Sequence, residues 1–213
     1  DNLAFDGGLV AAAPSGLSLG GTVGTTNTAM TLGDNNTALV LNDHLMLTTA
    51  GGALAINGAV NGTSANTQSL SLNAGVSGLV DVTGAIGQST SLKTLTLANS
   101  NGVTFSAPVT TGTEVVLSNT TAGQTIRFAH DLSTAALTTT GNGYHLALVG
   151  DNTHVSGATT FLNTGSLTLG NAANDNLLFD GGLLAAAPSG LSLGGTVGTT
   201  NTAMTLGDNN TAL

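Results

Sequence analysis

The groups in this chain that could do chemistry are few, and almost all of them are aspartates. Eleven acidic residues stand against two basic ones, Lys93 and Arg127, and every acid except Glu114 is an Asp. Hard cations such as calcium are held by several oxygen ligands at once, and the Asp/Asn/Gly segments could offer them. Gly33-Asp34-Asn35-Asn36, its recurrence as Gly207-Asp208-Asn209-Asn210, and the stretch from Asp175 to Asp180 are the best placed. Asp34, Asp175, Asp180 and Asp208 are therefore the candidate calcium ligands, and no other cofactor is indicated. Against this stands the absence of the glycine-rich calcium nonapeptide with its regularly spaced Asp. Asp beside Asn or Gly is turn chemistry first, because the short carboxylate bonds to backbone N–H groups nearby.

Proton transfer would fall to Asp and His. His44, His130, His145 and His154 show no ligand spacing, although Asp43-His44 and His130-Asp131 are adjacent pairs. Neighbours on a strand point to opposite faces, so these pairs are not expected to cooperate. β-Helical enzymes such as polysaccharide lyases gather Asp, Lys and Arg on one face. Here Lys93 is expected to point from a strand edge into solvent, and Arg127, between Ile126 and Phe128, to lie on the outer face. The expectation is a protein that is not an enzyme, with no catalytic residue. Thr94-Leu95-Thr96 and Thr138-Thr139-Thr140 resemble locally the flat Thr arrays of ice-binding solenoids, but they do not recur at a fixed spacing. Thr is simply a good strand former. Asn35, Asn61 and Asn119 head N-x-Thr acceptor patterns, which arise by chance in so Asn- and Thr-rich a chain.

Composition narrows the class further. Charged residues are 6% of the chain and the net charge is −9. Nucleic acid as a partner is excluded, since phosphate binding needs a basic surface, and an acidic membrane surface would repel the chain. No run reaches the ~18–20 apolar residues of a spanning helix, so membrane insertion is not expected. No signal peptide opens the chain, and any export signal would lie upstream. There is no Cys, hence no disulfide or thiolate framework. Apolar residues are 40% but aromatics only 3%: the core must be aliphatic.

These residues must be positioned by strands. A short apolar-x-apolar pulse recurs along the whole chain, as in Leu17-Ser18-Leu19, Met30-Thr31-Leu32, Leu54-Ala55-Ile56, Leu70-Ser71-Leu72, Val80-Asp81-Val82, Leu95-Thr96-Leu97 and Leu167-Thr168-Leu169. Period two puts both apolar residues on one side of a strand. Gly, Asn, Ser and Thr clusters separate the pulses, and no window has helical spacing. Two repeats organise them. Residues 175–213 repeat residues 1–39 with two changes, Ala4/Leu178 and Val10/Leu184. The chain thus reads as one unit, 1–174, and the start of the next, 175–213. Within the unit, Gly58-Ala59-Val60 … Leu70-Ser71-Leu72 returns 25–26 residues later as Gly84-Ala85-Ile86 … Leu95-Thr96-Leu97, a plausible single solenoid turn.

The fold expected is all-β: a parallel β-helix, or β-solenoid, of tandem repeats, with a β-sandwich array or barrel as the alternative. A sandwich of this size would more often carry Trp, Tyr or Phe in its core; this chain has no Trp and one Tyr. Coils of ~22–25 residues give seven or eight coils per unit and an advance of roughly 35 Å. Pro108 should mark a corner, since it lacks the N–H of a central ladder. Ala4 and its copy Leu178 should point outward, which suggests a covered outer face and lateral packing.

The phrasing Gly84-Ala85-Ile86 … Leu92-Lys93-Thr94-Leu95-Thr96-Leu97-Ala98-Asn99-Ser100-Asn101-Gly102-Val103-Thr104-Phe105-Ser106-Ala107-Pro108-Val109 resembles filamentous-haemagglutinin-like and autotransporter-like adhesins, very large bacterial surface proteins built of β-strand repeats. That resemblance implies a right-handed parallel β-helix, export to the extracellular face of the cell, and a role as stalk, adhesin or fibre. It carries over no catalytic residue. The partners expected are identical repeats or identical chains, end to end and laterally, with a cell-surface glycan as a candidate ligand. A glycan- or calcium-binding adhesin module and a functional amyloid-like matrix fibre are the alternatives.

Overall fold

A computed structural model describes residues 1–212, and the chain is all-β, with no helix among the described residues. Every strand pairing is parallel, and the partners lie one turn apart in the same chain, between 19 residues (Leu92↔Thr111) and 26 residues (Leu54↔Val80). The result is a parallel β-solenoid of about nine turns, not a sandwich, whose sheets would be antiparallel.

Each turn presents three faces. The first takes residues 2–5, 21–25, 45–48, 70–73, 94–99, 114–117, 136–139, 159–160, 183–185 and 204–206. Its step from 136–139 to 159–160 is closed by the Thr139 hydroxyl, which donates to Thr160 O at 3.2 Å and accepts from the Leu162 N–H at 2.8 Å. The second face takes 9–11, 30–32, 54–56, 80–82, 103–105, 125–128, 145–148, 167–169 and 191–193. The third takes 17–19, 39–41, 60–62, residue 86, 109–110, 132–134, 152–155, 176–179 and 196–198. Strands Leu17–Thr25 and Leu39–Thr48 bend from the third face to the first within one strand, and their mutual register shifts between Leu19 and Gly21. Pro108 sits just before Val109–Leu117, outside the ladder, where its carbonyl accepts from the Ile86 N–H.

The pleat explains the burial. On the second face the inward column Leu32, Ile56, Val82, Phe105, Phe128, Leu148 and Leu169 is buried throughout. Between its two inward columns runs an outward row of Val10, Thr31, Ala55, Asp81, Thr104, Arg127 and their successors. Each fully buried Leu or Ile contributes about 1.5–3 kcal/mol. Like side chains one turn apart stack directly; Phe105 and Phe128 lie face to face with centroids 4.6 Å apart.

The corners use polar ladders instead. Asn99 Nδ2 donates to Asn73 Oδ1 at 3.3 Å, Asn119 Nδ2 to Asn99 Oδ1 at 2.9 Å, and Asn142 Nδ2 to Asn119 Oδ1 at 3.2 Å. Asn99 both gives and receives, so Asn99→Ala removes two side-chain hydrogen bonds and leaves Asn73 and Asn119 unpaired on one side. A loss of about 1–2 kcal/mol is expected, to be read as a lowered midpoint in thermal or urea unfolding.

The long repeat has an unexpected placement. Residues 2–5 lie on the first face, but their copies 176–179 lie on the third; 9–11 lie on the second, and 183–185 on the first. Local pairing is nonetheless preserved: Asn2↔Thr22 becomes Asn176↔Thr196, and Leu9↔Met30 becomes Leu183↔Met204. The unit therefore winds through seven full turns and two further faces, about 37 Å at ~4.8 Å per turn. The second unit begins turned by one face.

Candidate functional site

The four candidate aspartates lie at turns beside the strand ends. Asp34 accepts the Asn36 N–H at 2.8 Å, and Asp208, its copy, accepts the Asn210 N–H at 2.7 Å. These backbone bonds, with help from Thr37 and Thr211, hold both carboxyls below the usual Asp range. Asp175 is buried, with 2% of its surface exposed. It accepts the N–H groups of Asn171 and Ala172 at 2.7 and 3.0 Å, closing the turn before strand Asn176–Phe179. Asp180, at the far end of that strand, accepts the Thr200 hydroxyl at 2.6 Å and lies 2.8 Å from His154 Nε2. The Thr200 bond and then the His154 bond lower its pKa. Among the described residues no three His, Cys, Asp or Glu come together, and the four calcium candidates are distributed over separate turns.

The histidines tie coils and turns together. His44 Nδ1 accepts the Ser69 N–H at 3.1 Å, and His145 Nδ1 accepts the Ser166 N–H at 2.8 Å, each from the next coil. His130 Nδ1 accepts the Asp131 N–H at 2.9 Å and lies 3.5 Å from Asp131 Oδ1. This corrects the expectation that the adjacent pair points apart: residues 130 and 131 occupy a bend before strand Leu132–Thr134, where strand alternation does not apply. Sequence reasoning had no means of finding His154–Asp180, whose partners are 26 residues apart. A one-turn offset from His154 would have suggested it only once the length of that particular turn was known.

On the outer surface of the second face, a groove of about 540 Å³ is lined by Leu79, Asp81, Asn101, Thr104, Gln124 and Arg127, among others. Asp81, Thr104 and Arg127 succeed one another in one outward row on three adjacent coils. Arg127 thus lies where alternation with Ile126 and Phe128 places it. The row sets a carboxylate and a guanidinium two coils apart, roughly 9.6 Å, with exposed Leu79 beside them. It can offer hydrogen-bond donors, acceptors and a small aliphatic floor. Glu114 is on the first face, taken up by the Thr138 hydroxyl. Lys93 is exposed within strand Leu92–Asn99.

A further exposed feature is the end of the stack. Leu3 and Phe5 in the first coil are open to solvent, and Leu9 and Ala11 are half-buried. Of the two changes between units, Ala4 is exposed and its copy Leu178 half-buried, while Val10 is 77% exposed and its copy Leu184 41%. Val10 and Leu184 point outward, as period two requires, and Leu184 is not covered by this chain. Searches of family models, curated proteins and solved structures found no match to this chain.

Proposed function

We propose that this chain is a segment of a long tandem-repeat fibre, stalk or adhesive filament on the outside of a bacterial cell, with a mechanical and non-enzymatic role. One observation carries the reading: the last coils repeat both the sequence and the pairings of the first, so the axis of one unit runs directly into the next. A rod of this kind bears load through parallel ladders along its axis and an aliphatic seal within. Asp34, Asp175 and Asp208 are spent on turns, and His44, His130 and His145 on backbone N–H groups, which supports a structural reading over a catalytic one. The textural likeness to bacterial surface adhesins supports an extracellular place. Identical units, end to end, are the partners in this reading.

The test is electron cryomicroscopy of native cell-surface material labelled with an antibody to residues 1–174. Filaments outside the cell with an axial period of about 37 Å per unit are expected. Label confined to the cell interior overturns the location. Separate chains stacked every ~4.8 Å would establish an amyloid-like fibre instead. A glycan-binding role is the second reading, favoured by the groove that joins Asp81, Thr104 and Arg127.

A further inference from the structure

The first coil has an uncovered edge, and the chain itself shows what covers that edge. Leu3 is 49% exposed and Phe5 37%, whereas their copies Leu177 and Phe179 are each 0% exposed. The local sequences differ only at 4/178 and 10/184, so sequence does not cause the difference. Residues 176–179 lie under 152–155, and Leu183 and Leu184 lie under Thr159 and Thr160. Strands Asn2–Phe5 and Leu9–Ala11 are paired on one side alone. An open edge of this kind leaves a row of N–H and C=O groups ready for another strand.

We infer that the edge formed by Asn2–Phe5 and Leu9–Ala11 is a seat for a coil with the sequence of residues 151–174, supplied by a preceding copy of this unit. The register is the one the chain already uses: Asn152 over Asn2, Thr153 over Leu3, Val155 over Phe5 and Thr159 over Leu9. The matching groups are in place. Asp151 O, which accepts the Asn176 N–H at 2.8 Å, would accept that of Asn2. Phe161, edge-on to Phe179 at 5.9 Å, would meet Phe5. His154, 2.8 Å from Asp180, would meet Asp6. Asp6 is already held by the Thr26 hydroxyl at 3.3 Å, as Asp180 is by that of Thr200 at 2.6 Å.

This seat sets a third-face strand upon a first-face strand, so each unit joins its neighbour turned by one face. Outward residues such as those at position 10 and its copies then visit all three faces in succession. Three units, roughly 110 Å, restore the first orientation. A partner recognising the repeated surface meets it from three directions and never along one flat side.

The inference rests on the reading of the chain as one segment of a tandem fibre, and the two can fail separately: cell labelling tests the location, amide exchange tests the seat. The intact chain is extended at its N-terminal end by residues 40–174 of its own sequence. Exchange at Asn2, Ala4 and Val10, whose N–H groups face the open edge, should slow by about 100-fold or more, towards the rates of Asn176, Leu178 and Leu184. Protection of the added copies of Leu72 and Leu97 shows that the extension folds. A second extension, with its copy of 151–174 scrambled at constant composition, should leave Asn2, Ala4 and Val10 as fast as in the intact chain. Protection by both extensions, or by neither, overturns the seat. Image averages of longer arrays should show a one-face turn every ~37 Å, and an array with no such turn overturns the rotation.

Discussion

Leu97→Asp is expected to abolish cooperative folding. Leu97 sits in the inward column Val23, Leu47, Leu72, Leu97 and Leu117, every member of which is buried. A carboxylate there would lie between two leucines one turn above and below, with no cation near it. Truncation to Ala alone costs about 2–5 kcal/mol in such sites, and an unpaired buried charge adds several more. Domains of this size hold only about 5–15 kcal/mol in total, so the variant should lose its strand signal in far-UV circular dichroism or fail to show a melting transition. Thr96→Asp, one residue away on the outward row, should cost less than about 1 kcal/mol. A cooperative melt in Leu97→Asp near that of the parent chain would mean that the column is not the seal described.

Gly84→Ala is expected to destabilise by about 3 kcal/mol, although it adds a single methyl group. At this corner the coils meet backbone to backbone: a Cβ on Gly84 would lie 2.0 Å from Gly58 O, and one on Gly58 would lie 1.9 Å from Thr37 O. The ladders above and below fix the spacing of adjacent coils at ~4.8 Å, so the corner cannot open without breaking pairs such as Val60↔Ile86. Overpacking with no room to relax costs about 1–3 kcal/mol and sometimes more, which corresponds to roughly 6–12 °C in the melting midpoint of a chain this long. Gly7→Ala is the matched control, since a Cβ there meets nothing within 4 Å. Its effect should stay within about 1 kcal/mol, in the stabilising direction if its flexibility in the unfolded chain dominates. Equal melting shifts in the two variants would refute the close corner approach.

Much of this was legible beforehand because the signals are local. Leu54-Ala55-Ile56 or Leu167-Thr168-Leu169 declares a strand by alternation alone, and the Asp34 and Asp208 turns follow from a short carboxylate beside backbone N–H groups. The weak repeat at 25–26 residues foretold a pairing: Val60 does bridge Ile86, and Leu70 does pair Leu95. The candidate site was less legible. Arg127 was placed on the outer face by its apolar neighbours. Its alignment with Thr104 and Asp81 depends on two turns being the lengths they are.

The sequence by itself therefore determined that the chain is a stack of short strands, which residues of each strand face inward, and where the repeat begins again. Those properties depend on two or three neighbouring side chains and on turn residues between them. Only the tertiary structure decided which face each strand joins. The pulses are interchangeable aliphatic pairs, so nothing in Leu9-Val10-Ala11 distinguishes the second face from the first, and its copy Leu183-Leu184-Ala185 lies on the first. Face assignment accumulates along the chain from corner lengths, with turns that vary from 19 to 26 residues. That sum leaves the unit two faces beyond its seventh turn, brings His154 to Asp180, and turns a plain duplication into a rotating one.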